Sequence, residues 1–363
     1  MKIIVFYLPQ FHAFPENDKW WGKGFTEWTN VKEAVPIFRG HNQPKVPLNK
    51  NYYNLLDIET LRWQSNLSNR SGIYGFCFYH YWFDGKKLMN QPMELLLQNK
   101  DIAQKNCICW ANEDWTKAWA KKEKTILISQ TYGEKKDWIE HFEYLLPFFK
   151  DDRYIKINRK PLFIIYRPEL IKPLREMVMC WNELAKQYGL EGITLAYQQV
   201  FYNHLIQPTG DLFDYGIEYQ PGFVRRKQQK SFTIIRRKLL HELISKTHLP
   251  QKKWSTIYYD YDDTWNRILK IKPRDEKMIP GAFVDWDNTP RYKEHASVVL
   301  GYSKEKFQKY LSIQLRRAKE IYHKDMLFLF AWNEWGEGGY LEPDEAEKYG
   351  RLEAIKNALQ NNF

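Results

Sequence analysis

The chain contains no long apolar run. A membrane-spanning helix needs about 18 or more consecutive apolar residues, and every hydrophobic stretch here is interrupted before that length. The first of them, KIIVFYL at residues 2–8, ends at Pro9 and is too brief for the core of a secretory signal. The expectation is a soluble, cytoplasmic protein that does not leave by the usual export signal. Cysteine is scarce as well. The 363 residues hold four, Cys77, Cys107, Cys109 and Cys180, with no C-x-x-C pair among them. That argues against a disulfide framework or a thiolate metal site. The four read as reduced and mostly buried, and Cys107 and Cys109, two apart in the apolar NCICWAN, should share one face of a strand. A glycine-rich nucleotide turn is also missing: Pro9 stands where a dinucleotide-binding fold would place one. A D-x-D runs from Asp285 to Asp287. No metal and no cofactor are expected. Low-complexity linkers, internal repeats and nucleic-acid-binding motifs are absent too, which leaves a single domain over residues 1–363 and no nucleic-acid partner.

What the chain has in quantity is aromatic side chains: 15 Trp, 24 Tyr and 21 Phe, far more than disordered chains carry. Ring faces stack on the C–H faces of sugars, but a large core uses the same residues, and composition does not separate the two. With 44% hydrophobic residues, a chain of this length buries a substantial core. The formal charge of +11 suits an anionic surface or an acidic glycan as partner.

Eight short apolar runs recur, at residues 2–8, 73–82, 106–112, 161–167, 192–198, 214–219, 278–286 and 326–332. They are rich in β-branched and aromatic residues and bounded by turn residues, as buried parallel strands are. Between them lie stretches with apolar residues at helical spacing: 55–71, 138–149, 174–189 ending at Gly189, 304–323 and 350–360. This alternation predicts an α/β fold, a (β/α)8 TIM-type barrel with long βα loops. An open doubly wound sheet is the alternative. Residues 9–54 form one long connection, rich in Trp, Pro and Gly, and a loop of that length is functional or holds its own small elements. Residues 222–254 form a basic insertion with ten Lys or Arg against one Glu. Within it Ile235, Leu239, Leu240, Leu243 and Ile244 fall on one helical face. It reads either as a solvated helical insertion, or as a peripheral contact with an anionic membrane over 225–253, or as a partner surface.

The chemistry-bearing stretch is AWNEWGEGGYLEPD, residues 331–344. In a barrel the active site lies at the C-terminal ends of the strands, so Asn333, Glu334, Trp335 and Glu337 fall on the rim just after the last one. Residues three apart on a helical turn share a side. Two carboxylates so placed push one another apart in proton affinity, and one proton donor with one base is what acetal cleavage needs. The alternative is a helix N-terminus with acids that complement its dipole. By the same rim argument His80 and Trp82 end strand two, Asn112 and Glu113 follow strand three, and Tyr166 and Arg167 end strand four. Asp285, Trp286, Asn288 and Arg291 follow strand seven. His12 and Trp28 lie in the first long loop. Each is a candidate sugar contact. His80 also reads as a core histidine, Glu113 as a helix cap, and Arg167 as the partner of a structural acid.

The stretches YLPQFH (7–12), ENDKWWGKGFTEWTNV (16–31), GFCFYHYWFDGK (75–86), CWANEDWT (109–116), KPLFIIYRP (160–168), DWDNTPR (285–291) and AWNEWGEGGYLEPD (331–344) occur in order from end to end. On them the chain resembles the WbsX-like proteins of bacterial surface-polysaccharide genes, related to the family 99 glycoside hydrolases, the endo-α-mannosidases. The resemblance implies a barrel enzyme that acts on α-linked glycans with retention. It implies that Glu334 helps deprotonate the substrate's own 2-hydroxyl, which attacks the anomeric carbon. Glu337 then protonates the leaving oxygen and activates the incoming water or sugar. The hydrolases carry a histidine between the Trp and the second Glu, and Gly336 stands there instead, which leaves the sugar open. The implied partner is an oligo- or polysaccharide, including a lipid-linked one. Two other readings stay open: a sugar-nucleotide-dependent glycosyltransferase, and a glycan-binding protein without catalysis.

Overall fold

The computed structural model describes residues 1–116, 126–200, 211–225 and 256–362. Nine parallel strand segments form its sheet: β1 (Lys2–Tyr7), β2 (Gly75–Phe83), β3 (Asn106–Trp110), β4 (Lys160–Ile165), β5 (Thr194–Gln199), β6 (Tyr215–Glu218), β7 (Met278–Ile279), β8 (Gly281–Phe283) and β9 (Met326–Phe330). Their order is β7-β6-β5-β4-β3-β2-β1-β9-β8. β7 pairs β6 through Gly216 with Met278, while β8 pairs β9 through Gly281 with Phe328. Only Pro280 separates β7 from β8. Proline has no N–H to donate, so the ladder breaks there and changes partner. Gly281 permits the crossing, because a Cβ on it would collide with the Glu218 carbonyl. Taken as one broken strand, β7 and β8 make the barrel eightfold, as the eight apolar runs predict.

The anticipated helices are present at Ile58–Arg70, Lys135–Lys150, Leu174–Gln187, Lys304–Glu320 and Gly350–Gln360. Helix Lys304–Glu320 starts at Ser303, whose hydroxyl accepts the Lys306 N–H, a normal N-cap. Gly189 has φ +82 and sits just past helix Leu174–Gln187, where a left-handed residue is needed. The long first connection holds helices Pro15–Trp21 and Glu27–Glu33. Most of the basic insertion, with its amphipathic pattern, lies outside the described residues. Among the described residues no helix is long and apolar enough to cross a membrane.

Inside the barrel, Phe6 of β1 stacks on Tyr79 of β2, meets Phe328 of the neighbouring β9, and meets Tyr219 from across the lumen. Cys109 donates to Gln198 on β5. The four cysteines are free and buried, and Cys77 meets both Cys107 and Cys109, so Cys107 and Cys109 do share a face.

Candidate active site at the C-terminal rim

Beyond β9 the chain forms a small antiparallel hairpin, Asn333–Glu334 against Gly339–Tyr340, closed by the 3₁₀ turn Trp335–Glu337. The turn folds the chain back so that Glu334, at its start, and Glu337, at its end, reach the same guanidinium. Gly338 (φ +67) ends the turn in the left-handed region. The hairpin is braced from behind. Asn333 accepts the Leu8 N–H (2.8 Å) and donates to the Leu8 carbonyl (2.9 Å), tying it to the end of β1. Trp335 stacks on Tyr340 at 3.7 Å between centroids and donates to Glu342 (2.6 Å). Glu342 also accepts from Tyr53 (2.8 Å) and Gln64 (2.7 Å). Burial pushes its carboxyl up to about 7 against the pull of those donors.

In front of the hairpin stands Arg291, from the one-turn helix Thr289–Tyr292. Its Nε meets Glu27 (2.8 Å), and its terminal nitrogens meet Glu334 (3.0 Å) and Glu337 (3.0 Å). The side chains of Glu27, Glu334, Arg291 and Glu337 are 0, 6, 10 and 17% exposed. Three acids thus share one cation in a nearly dry place, with Glu337 the most open to solvent. Burial raises the Glu334 carboxyl to about 8; Arg291 opposes this, and the negative charges of Glu337 and Glu27 add to it. Arg291 is itself held well above the usual guanidinium range, since the three glutamates outweigh its desolvation. Four tyrosines lie within electrostatic reach. Tyr81 feels Glu334, Arg291 and Glu27, and Tyr292 feels Glu337, Arg291 and Glu27. Tyr166 feels Glu337, and Tyr219 feels both Glu337 and Glu334. The arrangement offers a deep carboxyl of raised proton affinity, a shallower one beside it, and hydroxyl groups around both.

The profile of a family described as Glycosyltransferase WbsX matches residues 3–355. The chain belongs to the WbsX family. Two relatives from Xanthomonas campestris pv. campestris, both named Uncharacterized protein WxcX, are 33% and 34% identical over 359 residues. The match covers 98% of this chain and 49% of each relative, so the chain spans about half their length. Among solved structures, the GH99 endo-alpha-mannosidase from Bacteroides thetaiotaomicron superposes with a TM-score of 0.54 at 14% identity, covering 99% of this chain and 97% of that one. A glycoside hydrolase-like protein superposes with a TM-score of 0.57 at 12% identity, covering 98% and 93%. At such identities the likeness is one of fold.

In this WbsX family member the structure sorts the candidate residues. Arg291, Glu334, Glu337 and Tyr166 converge at the rim. His80 and Trp82 do not, and the expectation of sugar contact is corrected for both. They point out of the barrel onto helix Lys135–Lys150: the His80 and His141 Nε2 atoms are 2.9 Å apart, and Trp82 stacks on His141 at 4.5 Å. Burial and Lys87 lower the His80 imidazole to about 3, so both histidines are neutral and share one proton. The inward residues of β2 are Tyr79 and Tyr81. Asn112 clamps the neighbouring loop, donating to the Arg167 carbonyl (2.7 Å) and accepting its N–H (2.8 Å). Arg167 pairs with Glu113 and Glu169, the structural-acid alternative.

In the DWDN stretch, Asp285 lies 3.6 Å from Lys45. Asp287 accepts from His41 (2.8 Å), Gln43 (2.6 Å) and the Thr289 N–H (3.0 Å). Although burial raises it, His41 and Lys45 hold it at about 2. Both aspartates are thus engaged by one loop, the stretch from His41 to Lys45. Asn288 accepts the Ser297 N–H (2.7 Å), and Trp286 donates to the Ser297 hydroxyl (3.0 Å). Both shape the loop that carries Arg291. Trp28 donates to the Tyr53 carbonyl (2.8 Å) and packs on Trp335. His12 is buried under a cleft of about 460 Å³, bordered by Thr29, Lys32 and Tyr52 on the far side of helix Glu27–Glu33. Burial lowers its imidazole to about 4. Three functional candidates escaped sequence reasoning in their roles: Glu27 as an arginine partner, Tyr81, and the buried acceptor Glu342.

Proposed function

We propose that this chain is a retaining glycan-processing enzyme that cleaves or transfers an α-glycosidic bond of a bacterial surface polysaccharide, capsule or O-antigen. The observation that carries the reading is the Glu334/Glu337 pair at the barrel rim, one deep and one open, bridged by a single guanidinium. A carboxyl raised toward 8 is, once ionised, a stronger base toward a sugar hydroxyl than an ordinary carboxylate. Glu334 therefore accepts the proton of the substrate's 2-hydroxyl as that oxygen attacks the anomeric carbon and an anhydro-sugar forms. Glu337 gives its proton to the departing glycosidic oxygen. In the second half Glu337 takes a proton from the incoming water or sugar hydroxyl, which opens the anhydro ring, and Glu334 returns its proton to the 2-oxygen. Arg291 steadies the negative charge as it passes between the two acids. Membership of a family described as a glycosyltransferase supports a sugar hydroxyl as the second-step acceptor.

The test uses α-linked oligosaccharides and the polysaccharide of the source strain, free and lipid-linked, with products sized by mass spectrometry. Defined products without any nucleotide support the reading. Glu334→Gln and Glu337→Gln should each lower kcat by about 10²–10⁴-fold with the fold intact. Strict dependence on a nucleotide-sugar, together with a rise in Tm on adding it, would replace this reading with nucleotide-dependent transfer. Binding without turnover would leave a lectin-like protein.

A further inference from the structure

Glu27 lies 264 positions before Arg291 in sequence, on a different loop of the barrel. Helix Glu27–Glu33 carries it, started by a capping box at Thr26 and tied back by the Glu27 N–H to the Gln10 carbonyl (3.1 Å). The carboxylate is fully buried, an expensive place for a charge unless it is paired. A guanidinium is a rigid planar fork. Once Nε is held, both terminal nitrogens are aimed, and here each meets one member of the Glu334/Glu337 pair. Gly336, between those two glutamates, faces the same spot. A Cβ there would collide with Glu27 Oε1 and stand 2.8 Å from Arg291 Nε. Any other residue at 336 therefore evicts Glu27 or displaces Arg291.

We propose that Glu27 is the positioning residue of this site: it clamps the Nε edge of Arg291 so that one terminal nitrogen serves each glutamate of the pair, and Gly336 makes the room for it. The inference rests on the reading of Glu334 and Glu337 as the working pair. Its consequence is electrostatic. The guanidinium opposes the burial that raises Glu334, while the Glu27 charge reinforces it, so the clamp sets how the proton is divided between the two acids. Among the described residues, the titratable groups facing the cluster include Glu27, Glu334, Glu337, Arg291 and the hydroxyls of Tyr81, Tyr166, Tyr219 and Tyr292.

The test needs no glycan. Side-chain ¹³C-carboxyl NMR of Glu-labelled protein follows the Glu334 titration, its resonance assigned by its disappearance in Glu334→Gln. Glu27→Gln keeps an acceptor for Nε but deletes the charge, so Glu334 should titrate lower by about half a unit or more. Gly336→Ala keeps every charge but breaks the clamp; Arg291 acts on Glu334 more strongly than Glu27 does, so losing the aim of the guanidinium outweighs moving Glu27, and Glu334 should move the other way. Glu27→Asp added to Gly336→Ala shortens the acid and should bring the titration back toward wild type. Unchanged Glu334 titration in folded Glu27→Gln and Gly336→Ala proteins overturns the clamp. Where turnover of an α-glycan is measurable, the limb of kcat/KM against pH set by Glu334 should shift by the same amount. Carboxyl shifts as expected in a chain that processes no α-glycan would sink the enzymatic reading and leave the clamp standing.

Discussion

Replacing Arg291 with methionine tests the site's electrostatics directly. The wild-type guanidinium touches three carboxylates at 2.8, 3.0 and 3.0 Å, and Glu27 and Glu334 are almost completely dry. Removing one partner of a buried pair costs about 3–5 kcal/mol, because the other charge is left uncompensated. The loss must also depend on pH. Arg291 is the main force that opposes burial at Glu334, so in Arg291→Met the Glu334 carboxyl rises still further above its ordinary value. A carboxyl whose folded pKa exceeds its unfolded one contributes stability that is fully present below the unfolded pKa, 4.5 for Glu. That contribution is lost as pH rises toward the folded value. Wild type and variant therefore lose this contribution in parallel up to about pH 8, the wild-type folded value, and the variant falls further behind above it, by up to ~1.4 kcal/mol per pH unit for Glu334. Urea unfolding followed by far-ultraviolet circular dichroism at pH 5, 8 and 9.5 measures this. A deficit below about 1 kcal/mol, or one that does not grow between pH 8 and pH 9.5, would refute the claim that Arg291 neutralises these acids.

Further outcomes are expected elsewhere. Glu218 is buried against Tyr322, whose hydroxyl lies 3.0 and 3.1 Å from its two oxygens, and burial raises its carboxyl to about 8 although Tyr322 and Arg317 lower it. It too costs stability as pH climbs from its unfolded value toward 8, so Glu218→Gln should raise Tm at pH 8, by on the order of 2 kcal/mol of stability, and leave Tm unchanged at pH 5. His80→Phe orphans His141 and should cost about 1–3 kcal/mol without altering glycan turnover. Tyr81→Phe, by contrast, removes a hydroxyl beside Glu334 and should slow turnover about 5–10-fold with Tm unchanged. Asn333→Ala strips both partners from the Leu8 backbone and should cost about 2–4 kcal/mol, read by thermal unfolding.

Much of the barrel was legible because its signals are local. Each parallel strand is buried on both faces, so it reads as a short unbroken apolar run, and the runs at 2–8 and 326–332 landed on β1 and β9. The same unbroken burial hides which way a side chain points. GFCFYHYWF has no alternation of polar and apolar residues from which to tell inside from outside, so His80 and Trp82 were as eligible for the rim as Tyr79 and Tyr81. Parity was decided by the register of β2 between β1 and β3 and by the helix against its outer face. The basic insertion gave a pattern, and most of its residues lie outside the described part of the fold.

The position of Glu334 and Glu337, three apart just past the last strand, follows from sequence alone, because a turn fixes the side its neighbours share over a few residues. Their company does not. Glu27 reaches them from near the start of the chain and Arg291 from a loop 43 residues before Glu334, and Glu342 receives its donors from Tyr53 and Gln64. Such meetings depend on closing the barrel, which carries the first and last strands side by side. Only then does a glycine at 336 become the space that a distant carboxylate needs.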